Sequence, residues 1–316
     1  MRITNQILTG NFLYGLNSLQ NQMETYLNQL STGKAINVPS DNPVGAGNIL
    51  HYNDILSQTK SYLANVADGI SWLQTTDGAL QNATNVLQTA SQLAVQAGSG
   101  TMNKSDLADI LQQVNSLIGQ MVQVGNTAYG SQYVFGGYKD TTPAFTAVTG
   151  ANGLVTQVTY NGDTGAVQRE VGPATLVTVN LTGGQVFGQG STGGTAPNVT
   201  ATGSGVLGDL LQFSADLQNA AAGATVNFAT DQANIQNDLN NLTTASATSG
   251  SRLQQFQAAQ NNLQAFQVSV TDLLAQVQDV NMAKAMTNFS SLRNAYQAAL
   301  NAGANLLPPD LFNFLK

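Results

Sequence analysis

From Phe12 onward, apolar side chains recur at Leu16, Leu19, Met23, Tyr26 and Leu30, in steps of 4, 3, 4, 3 and 4 residues. That rhythm is the narrow seam of a coiled coil, not the broad apolar stripe of a globular helix. The helix it predicts should stop at Gly33, after which Pro39-Ser40-Asp41-Asn42-Pro43 demands an extended or turning backbone. A longer periodic stretch follows. Ile49, Leu56, Leu63 and Ile70 recur every seventh residue, and Tyr52, Val66, Leu73, Leu80 and Leu87 supply the other half of the heptad. Gly98-Ser99-Gly100 should end this helix. Ser105 is the expected N-cap of the next, in which Leu107, Ile110, Val114, Leu117, Met121 and Val124 repeat the same spacing.

Between Tyr138 and about Gly205 the pattern changes. Leu154 to Tyr160 and Ala174 to Val179 alternate like strands, with turn chemistry at Asn161-Gly162-Asp163 and Thr182-Gly183-Gly184. Gly188 to Gly205 reads as a flexible return loop. Helical spacing resumes near Leu207, again from Phe228 through Leu242, and from Leu253 to Val280. Its phase slips near Met282 and Lys284, then recovers with Phe289, Leu292 and Tyr296; Pro308-Pro309 should stop the helix and leave an apolar tail. The fold class expected is mainly α with a small β insertion. Residues 1–44 and 275–316 would form a terminal coiled coil, 45–138 and 205–274 a long-helix bundle, and 139–204 an inserted small β-domain.

Neither terminal seam has a partner within its own segment, and isolated helices are marginal in water. Pairing the two ends closes a loop of nearly the whole chain, which costs about 5 kcal/mol when the middle is unfolded. A folded helical body that already brings the ends together removes most of that cost. Even then a two-helix unit leaves apolar surface wet, so the termini are expected to order when neighbouring copies cover them.

Composition narrows the function. Only 9% of the 316 residues are charged, against about 25% in ordinary soluble proteins. With a net charge of −7 there is no basic stripe for nucleic acid. No apolar run approaches the ~20 residues of a bilayer span, and the start of the chain lacks a signal-peptide pattern. Absence of cysteine removes disulfides and thiolate chemistry. His51 is the single histidine and has no spaced carboxylate or serine partner. Gly33-Lys34 lacks the remainder of a phosphate loop, Asn161 to Gly165 lacks the carboxylates of a calcium loop, and no His-Glu-x-x-His occurs. An enzyme is not expected, nor a cofactor, a metal site or a membrane partner. Neutral polarity fills the space left by charge: 33 Asn and 32 Gln give a surface on which copies could pack side by side with weak salt sensitivity.

The block Leu30-Ser31-Thr32-Gly33-Lys34-Ala35-Ile36-Asn37-Val38-Pro39-Ser40-Asp41-Asn42-Pro43-Val44-Gly45 resembles the signature of the bacterial flagellin superfamily at the bend after its innermost helix. It departs by an alanine where a second basic residue is common and by Asn42 where an acid is common. Gly69 to Leu80 resembles the family's long helix. Gly125-Asn126-Thr127 with Gly130 to Gly137, and the ending Asp279 to Met286, Tyr296 to Leu300 and Leu306 to Leu315, are similar to the junction-protein branch. The resemblance implies a structural component of the bacterial flagellum, exported unfolded by the flagellar type III apparatus and residing outside the cell. It implies a layer of copies of this chain, set between the first hook-associated protein and the flagellin filament. It also implies an export chaperone that holds the C-terminal helix.

The residues expected to carry contacts are Phe12, Leu16, Leu19, Met23, Tyr26 and Leu30, packing against Phe289, Leu292, Tyr296 and Leu300 and against copies in adjacent subunits. Leu306, Leu307, Leu311, Phe312, Phe314 and Leu315 would finish the inner surface or hold the chaperone. Two alternatives stay open. The chain could be a filament flagellin, which would polymerise alone. It could also be a surface adhesin whose β insertion binds glycans through Tyr138, Phe145 and Tyr160.

Overall fold

The structure, a computed structural model, describes residues 2–306. Among the described residues, seven helices and eight strands follow one another as α1 (Arg2–Thr32), α2 (Pro43–Ala97), α3 (Lys104–Gly125), β1 (Ala128–Tyr129), β2 (Gln132–Tyr133), β3 (Phe145–Thr149), β4 (Val155–Tyr160), β5 (Gln168–Gly172), β6 (Thr175–Thr178), α4 (Gly183–Val186), β7 (Gln189–Gly193), β8 (Thr200–Ser204), α5 (Gly205–Ala222), α6 (Ala229–Gln278) and α7 (Met282–Leu306). The class is mainly α with a small β region in the middle. Two compact units divide the chain: residues 1–59 with 265–316, and residues 60–264. Their limits fall inside α2 and α6, not at the breaks in sequence pattern near residues 44 and 274.

The unit of residues 60–264 holds a continuous apolar core. Its α2 members Val66, Leu73, Leu80 and Leu87 are those of the second half-heptad, each fully buried, and they meet Ile110, Val114 and Ile118 of α3, Leu207, Leu210 and Leu211 of α5, and Ile235, Leu242 and Phe256 of α6. The strands have no core apart from this one. Phe145, Val155, Val158 and Val171 belong to the same cluster. An antiparallel sheet in the order β3-β4-β7-β8 lays β7 and β8 against α5, and the hairpin β5-β6 stands as its own two-stranded sheet.

Polar contacts to α2 add to the burial of Val171 in holding that hairpin. Arg169 donates to Asp68 at 2.8 Å and lies over the Trp72 ring at 5.9 Å, while Asn65 donates to the Glu170 carbonyl at 3.1 Å. At the other end of the strand region, Asn126 exchanges two hydrogen bonds of 2.8 Å with the backbone of Phe145, and Gly125 is glycine because a Cβ there would stand 2.6 Å from that ring. The Gly125-Asn126-Thr127 run thus marks the point where α3 hands over to the sheet.

Two local expectations are corrected. The stretch Gly188 to Gly205 is not a loop but the β7-β8 hairpin, paired from Gln189 with Ser204 to Gly193 with Thr200. Its glycines and threonines lack the apolar alternation that signals a strand, since Gly190 and Gly203 are required by close backbone approach to α5 and β7. The N-cap of α3 is Asn103, not Ser105. The Asn103 side chain accepts from the Ser105 and Asp106 N–H groups at 2.7 and 3.0 Å, and Asp106 returns a bond to the Asn103 N–H, completing a capping box.

Close packing between α2 and α6 centres on Gly69, whose added Cβ would collide with the Phe256 ring. Gly69→Val should therefore lower the denaturation midpoint by an amount equivalent to roughly 1–3 kcal/mol. Gly78→Ala, exposed on the same helix with nothing within 4 Å of its Cβ, should raise stability by up to about 1 kcal/mol through helix propensity. Equal responses of the two variants in urea unfolding would overturn this packing account.

Candidate functional site

The unit of residues 1–59 and 265–316 is built around the two ends of the chain. α1 stops because Gly33 takes a left-handed φ of 73° and its N–H closes on the Gln29 carbonyl at 2.9 Å. The backbone then forms a short antiparallel bridge between Lys34 and Asp279, with Ala35 N–H donating to Gln278 at 2.7 Å and Val280 N–H donating to Gly33 at 3.0 Å. This bridge explains the lost helical phase near Met282 and Lys284: α6 ends at Gln278, Asp279 forms the bridge, and Asn281 caps α7 by accepting the Lys284 N–H at 3.0 Å. Gln29 ties the arrangement from the side by donating to the Ala35 carbonyl at 3.0 Å.

From that bridge α1 and α7 run antiparallel. Tyr26 accepts from Asn288 at 3.1 Å, and near the far end the Phe12 ring lies where a Cβ on Gly303 would be. Phe12, Leu16, Leu19, Met23, Tyr26 and Leu30 are each half-buried, as are Phe289, Leu292 and Tyr296, whereas Leu300 is exposed. Leu306 is the last residue of α7. Leu307, Leu311, Phe312, Phe314 and Leu315 lie outside the described residues. Sequence reading missed Gly303 and Ala285, the small residues that let the helices approach, because no spacing rule picks out one glycine or one alanine of many.

The signature block has a physical reason at each of its turns. Asp41 accepts the Asn37 and Val38 N–H groups at 2.9 and 3.1 Å, and those bonds hold its pKa below the usual carboxylate value. Asn42 caps α2 by accepting the Gly45 N–H at 3.0 Å, with Pro43 in the first helical position. Asparagine serves this capping role as well as aspartate does. Gly45 leaves room for Ile36, which a Cβ would meet.

What this unit lacks is a core. Among the described residues its only buried hydrophobics are Val270 and Ala285. Its surface meanwhile exposes Tyr14 at 82%, Val44 at 76% and Leu50 at 71%, together with Ile7, Leu8, Leu13, Leu27, Phe266 and Val268. Leu13 and Tyr14 flank a groove of about 580 Å³ on α1 that also takes in Gly10, Asn17, Asn21 and Thr25.

Elsewhere the chemistry is sparse. His51 is exposed on α2 beside Tyr52. Among the described residues no cluster of His, Cys, Asp and Glu is arranged to hold a metal, and no helix is long and apolar enough to cross a membrane. Of the three aromatics offered for glycan binding, Phe145 is 1% exposed and packs on Phe187 and Tyr160, Tyr160 is half-buried, and Tyr138 alone reaches the surface.

Four aspartates in the other unit were not singled out by sequence reading. Asp231 and Asp238 on α6 are 1% and 2% exposed and face Asp216 and Asp209 of α5. Burial, then the charge of Asp216, pushes the pKa of Asp231 up to about 7; burial, then the charge of Asp209, pushes Asp238 up to about 8. The signal was present as two Asp pairs, each seven residues apart on a helix, in a chain poor in charge.

The sequence profile of the bacterial flagellin N-terminal helical region matches residues 3–140, and that of the bacterial flagellin C-terminal helical region matches residues 232–315. Together they take in well over half of the chain, which belongs to the bacterial flagellin family, a family of structural proteins of the flagellum. The flagellar hook-associated protein 3 of Escherichia coli (strain K12) is 23% identical, and the flagellin of Bacillus subtilis (strain 168) 29% identical, each over 100% of both chains. The solved structure of the flagellar junction protein FlgL from Legionella pneumophila matches with a TM-score of 0.52 at 16% identity, covering 66% of this chain and 99% of that one. The chain is accordingly a non-enzymatic structural component that assembles with other flagellar proteins.

The Asp41 turn yields a direct test. Asp41→Ala should raise amide hydrogen exchange at Asn37 and Val38 by roughly tenfold, the loss of about one hydrogen bond's net worth, while the core amides of α3 and α5 keep their protection. Unchanged exchange at both amides would show that the turn does not depend on this carboxylate.

Proposed function

We propose that this chain is a hook–filament junction protein. In this reading copies of it form a thin ring-like layer, one face on the first hook-associated protein and the other on flagellin. It reaches that place outside the cell through the flagellar type III export apparatus, with a chaperone holding its C-terminal helix until export. Residues 1–44 and 275–316 act as the inner-tube domain, 45–138 and 205–274 as the surrounding helical bundle, and 139–204 as the outward insertion. Phe12, Leu16, Leu19, Met23, Tyr26, Leu30, Phe289, Leu292, Tyr296 and Leu300 supply the contacts within and between copies, and Leu306 to Leu315 finish the inner surface or bind the chaperone.

The observation that carries the reading is the coreless terminal unit. Each fully buried large apolar side chain contributes about 1.5–3 kcal/mol, and this unit gains little of that from its own residues because its seam is only half covered. Its helices therefore need cover from like molecules. The names of the Escherichia coli and Legionella pneumophila proteins support the junction over other positions in the flagellum. The full-length likeness to the Bacillus subtilis flagellin favours filament flagellin as a second reading. The two separate in one measurement: a filament flagellin polymerises alone into long fibres, and a junction protein does not.

Leu16→Asp or Leu19→Asp should abolish assembly, giving cells with hooks but no filaments and flagellin shed to the medium. The purified variants should retain the helical content of residues 60–264. Intact filaments in electron micrographs of either mutant strain would refute the assignment.

A further inference from the structure

Four aspartates at the α5–α6 contact are not used by any assembly surface described above. Asp209 and Asp216 lie seven residues apart on α5, and Asp231 and Asp238 lie seven apart on α6. Helical repeat puts each pair on one face of its helix. Asp209 meets Asp238, and Asp216 meets Asp231, in two carboxyl–carboxyl contacts. The contacts sit in the packed region where the Phe213 ring stands edge-on to Phe228 at 6.0 Å.

Both oxygens of Asp231 and Oδ2 of Asp238 are buried with no donor directed at them. No cation neutralises the group. Among the described residues the one ion pair is Arg169–Asp68, and Arg252, the only cation of α6, stands well beyond Asp238 along the helix and donates to the Asn180 carbonyl. Of the other elements packed on α5, α3 brings Lys104, Asp106 and Asp109, none in an ion pair with the four, and β7 and β8 bring no charge. Asp216 takes one hydrogen bond, from Gln212 at 2.9 Å. Beside the contacts opens a cavity of about 560 Å³, lined by Asp209, Gln212, Asp216, Asn219, Thr230 and Asn234, that gives solvent a path to the two α5 carboxyls.

A buried carboxylate against a second carboxylate, with no donor and no cation, is held together only when a proton sits between the two oxygens. The hydroxyl of one acid then donates to its neighbour; with both ionised the same contact repels. We propose that the Asp209–Asp238 and Asp216–Asp231 contacts are proton-bridged latches, making the α5–α6 packing a pH-sensitive element that is closed in acid and released as the pH rises from neutral into the alkaline range. The proton balance is simple: each latch closes by taking up one proton from water and opens by returning it.

The direction follows from linkage. Burial raises these acids above the ordinary carboxylate value, so between the unfolded and folded values the native form holds more protons than the unfolded one. Their contribution is fully present below the unfolded value, falls as the pH rises above it, and is gone once the pH has passed the folded values of about 7 and about 8. This is the reverse of an ordinary ion-paired acid.

The test compares the full-length chain with Asp231→Asn/Asp238→Asn, in which each amide donates permanently where the acid donates only when protonated. Thermal unfolding followed by circular dichroism should show the unsubstituted chain losing roughly 5–10 °C between about pH 6 and about pH 9. The double variant should lose much less and melt higher than the parent at the alkaline end. Parallel pH profiles for the two proteins, or a flat profile for the parent, would overturn the proposal. A second measurement needs no variant: carbon NMR of the parent labelled at the aspartate carboxyl should find two resonances that titrate near neutrality. Aspartates that all titrate below about pH 5 would overturn it as well.

Discussion

The two-residue bridge of Lys34 with Asp279 joins the ends of α1 and α6 and sets the register of everything beyond it. Once Ala35 is bonded to Gln278 and Val280 to Gly33, α7 leaves the bridge antiparallel to α1, and its seam meets that of α1 without a search through alternative registers. The bridge costs α6 its continuity, since Asp279 and Val280 are held by Lys34 and Gly33 instead of continuing the helix. It gains the closure of a loop that contains most of the chain, which the folded interior has already shortened. Gly33 makes this possible because only a residue at ease with positive φ turns the chain out of α1 at that point.

Burial is divided unevenly between the two units, and that division separates stability from assembly. Among the described residues, 60–264 own nearly all of the buried apolar side chains. The terminal unit keeps its seam half covered and its outer faces apolar. Apolar area left uncovered in the monomer is area available to drive association, and area hidden inside it is not. The scarcity of charge elsewhere serves the same end. Neutral amides do not repel their copies, and they hydrogen-bond with little dependence on salt.

The β region contributes by attachment rather than by a core of its own. Its anchors are specific polar contacts, Asn126 with Phe145 at one edge and Arg169 with Asp68 and Trp72 at another, and its aromatic residues are spent inside. Phe145 is consumed by packing against Phe187 and Tyr160. Tyr138 stays at the surface, its hydroxyl donating to the Ala166 carbonyl at 3.1 Å.

Helix positions, the seams and the bend at Gly33 to Pro43 were legible from the amino-acid order because each rests on local chemistry: heptad spacing, a positive-φ glycine, an Asx turn, a proline at the first helical position. Even the fault near Met282 was visible as a slip of phase, though its cause was not. Threonine and glycine hid the β7-β8 hairpin, since strands selected for close backbone approach to a helix carry no alternating pattern. Asn103 took the cap from Ser105 because a cap is decided by which side chain reaches the free N–H groups. The pairing of Asp209 with Asp238 and of Asp216 with Asp231 belongs to tertiary structure alone. Spacing put each acid on a helix face, but only the folding of α5 beside α6 removed their water and set like charges together. Local preference is a property of a few neighbouring residues and can be read along the chain; desolvation depends on what residues far along the chain bring to the same place.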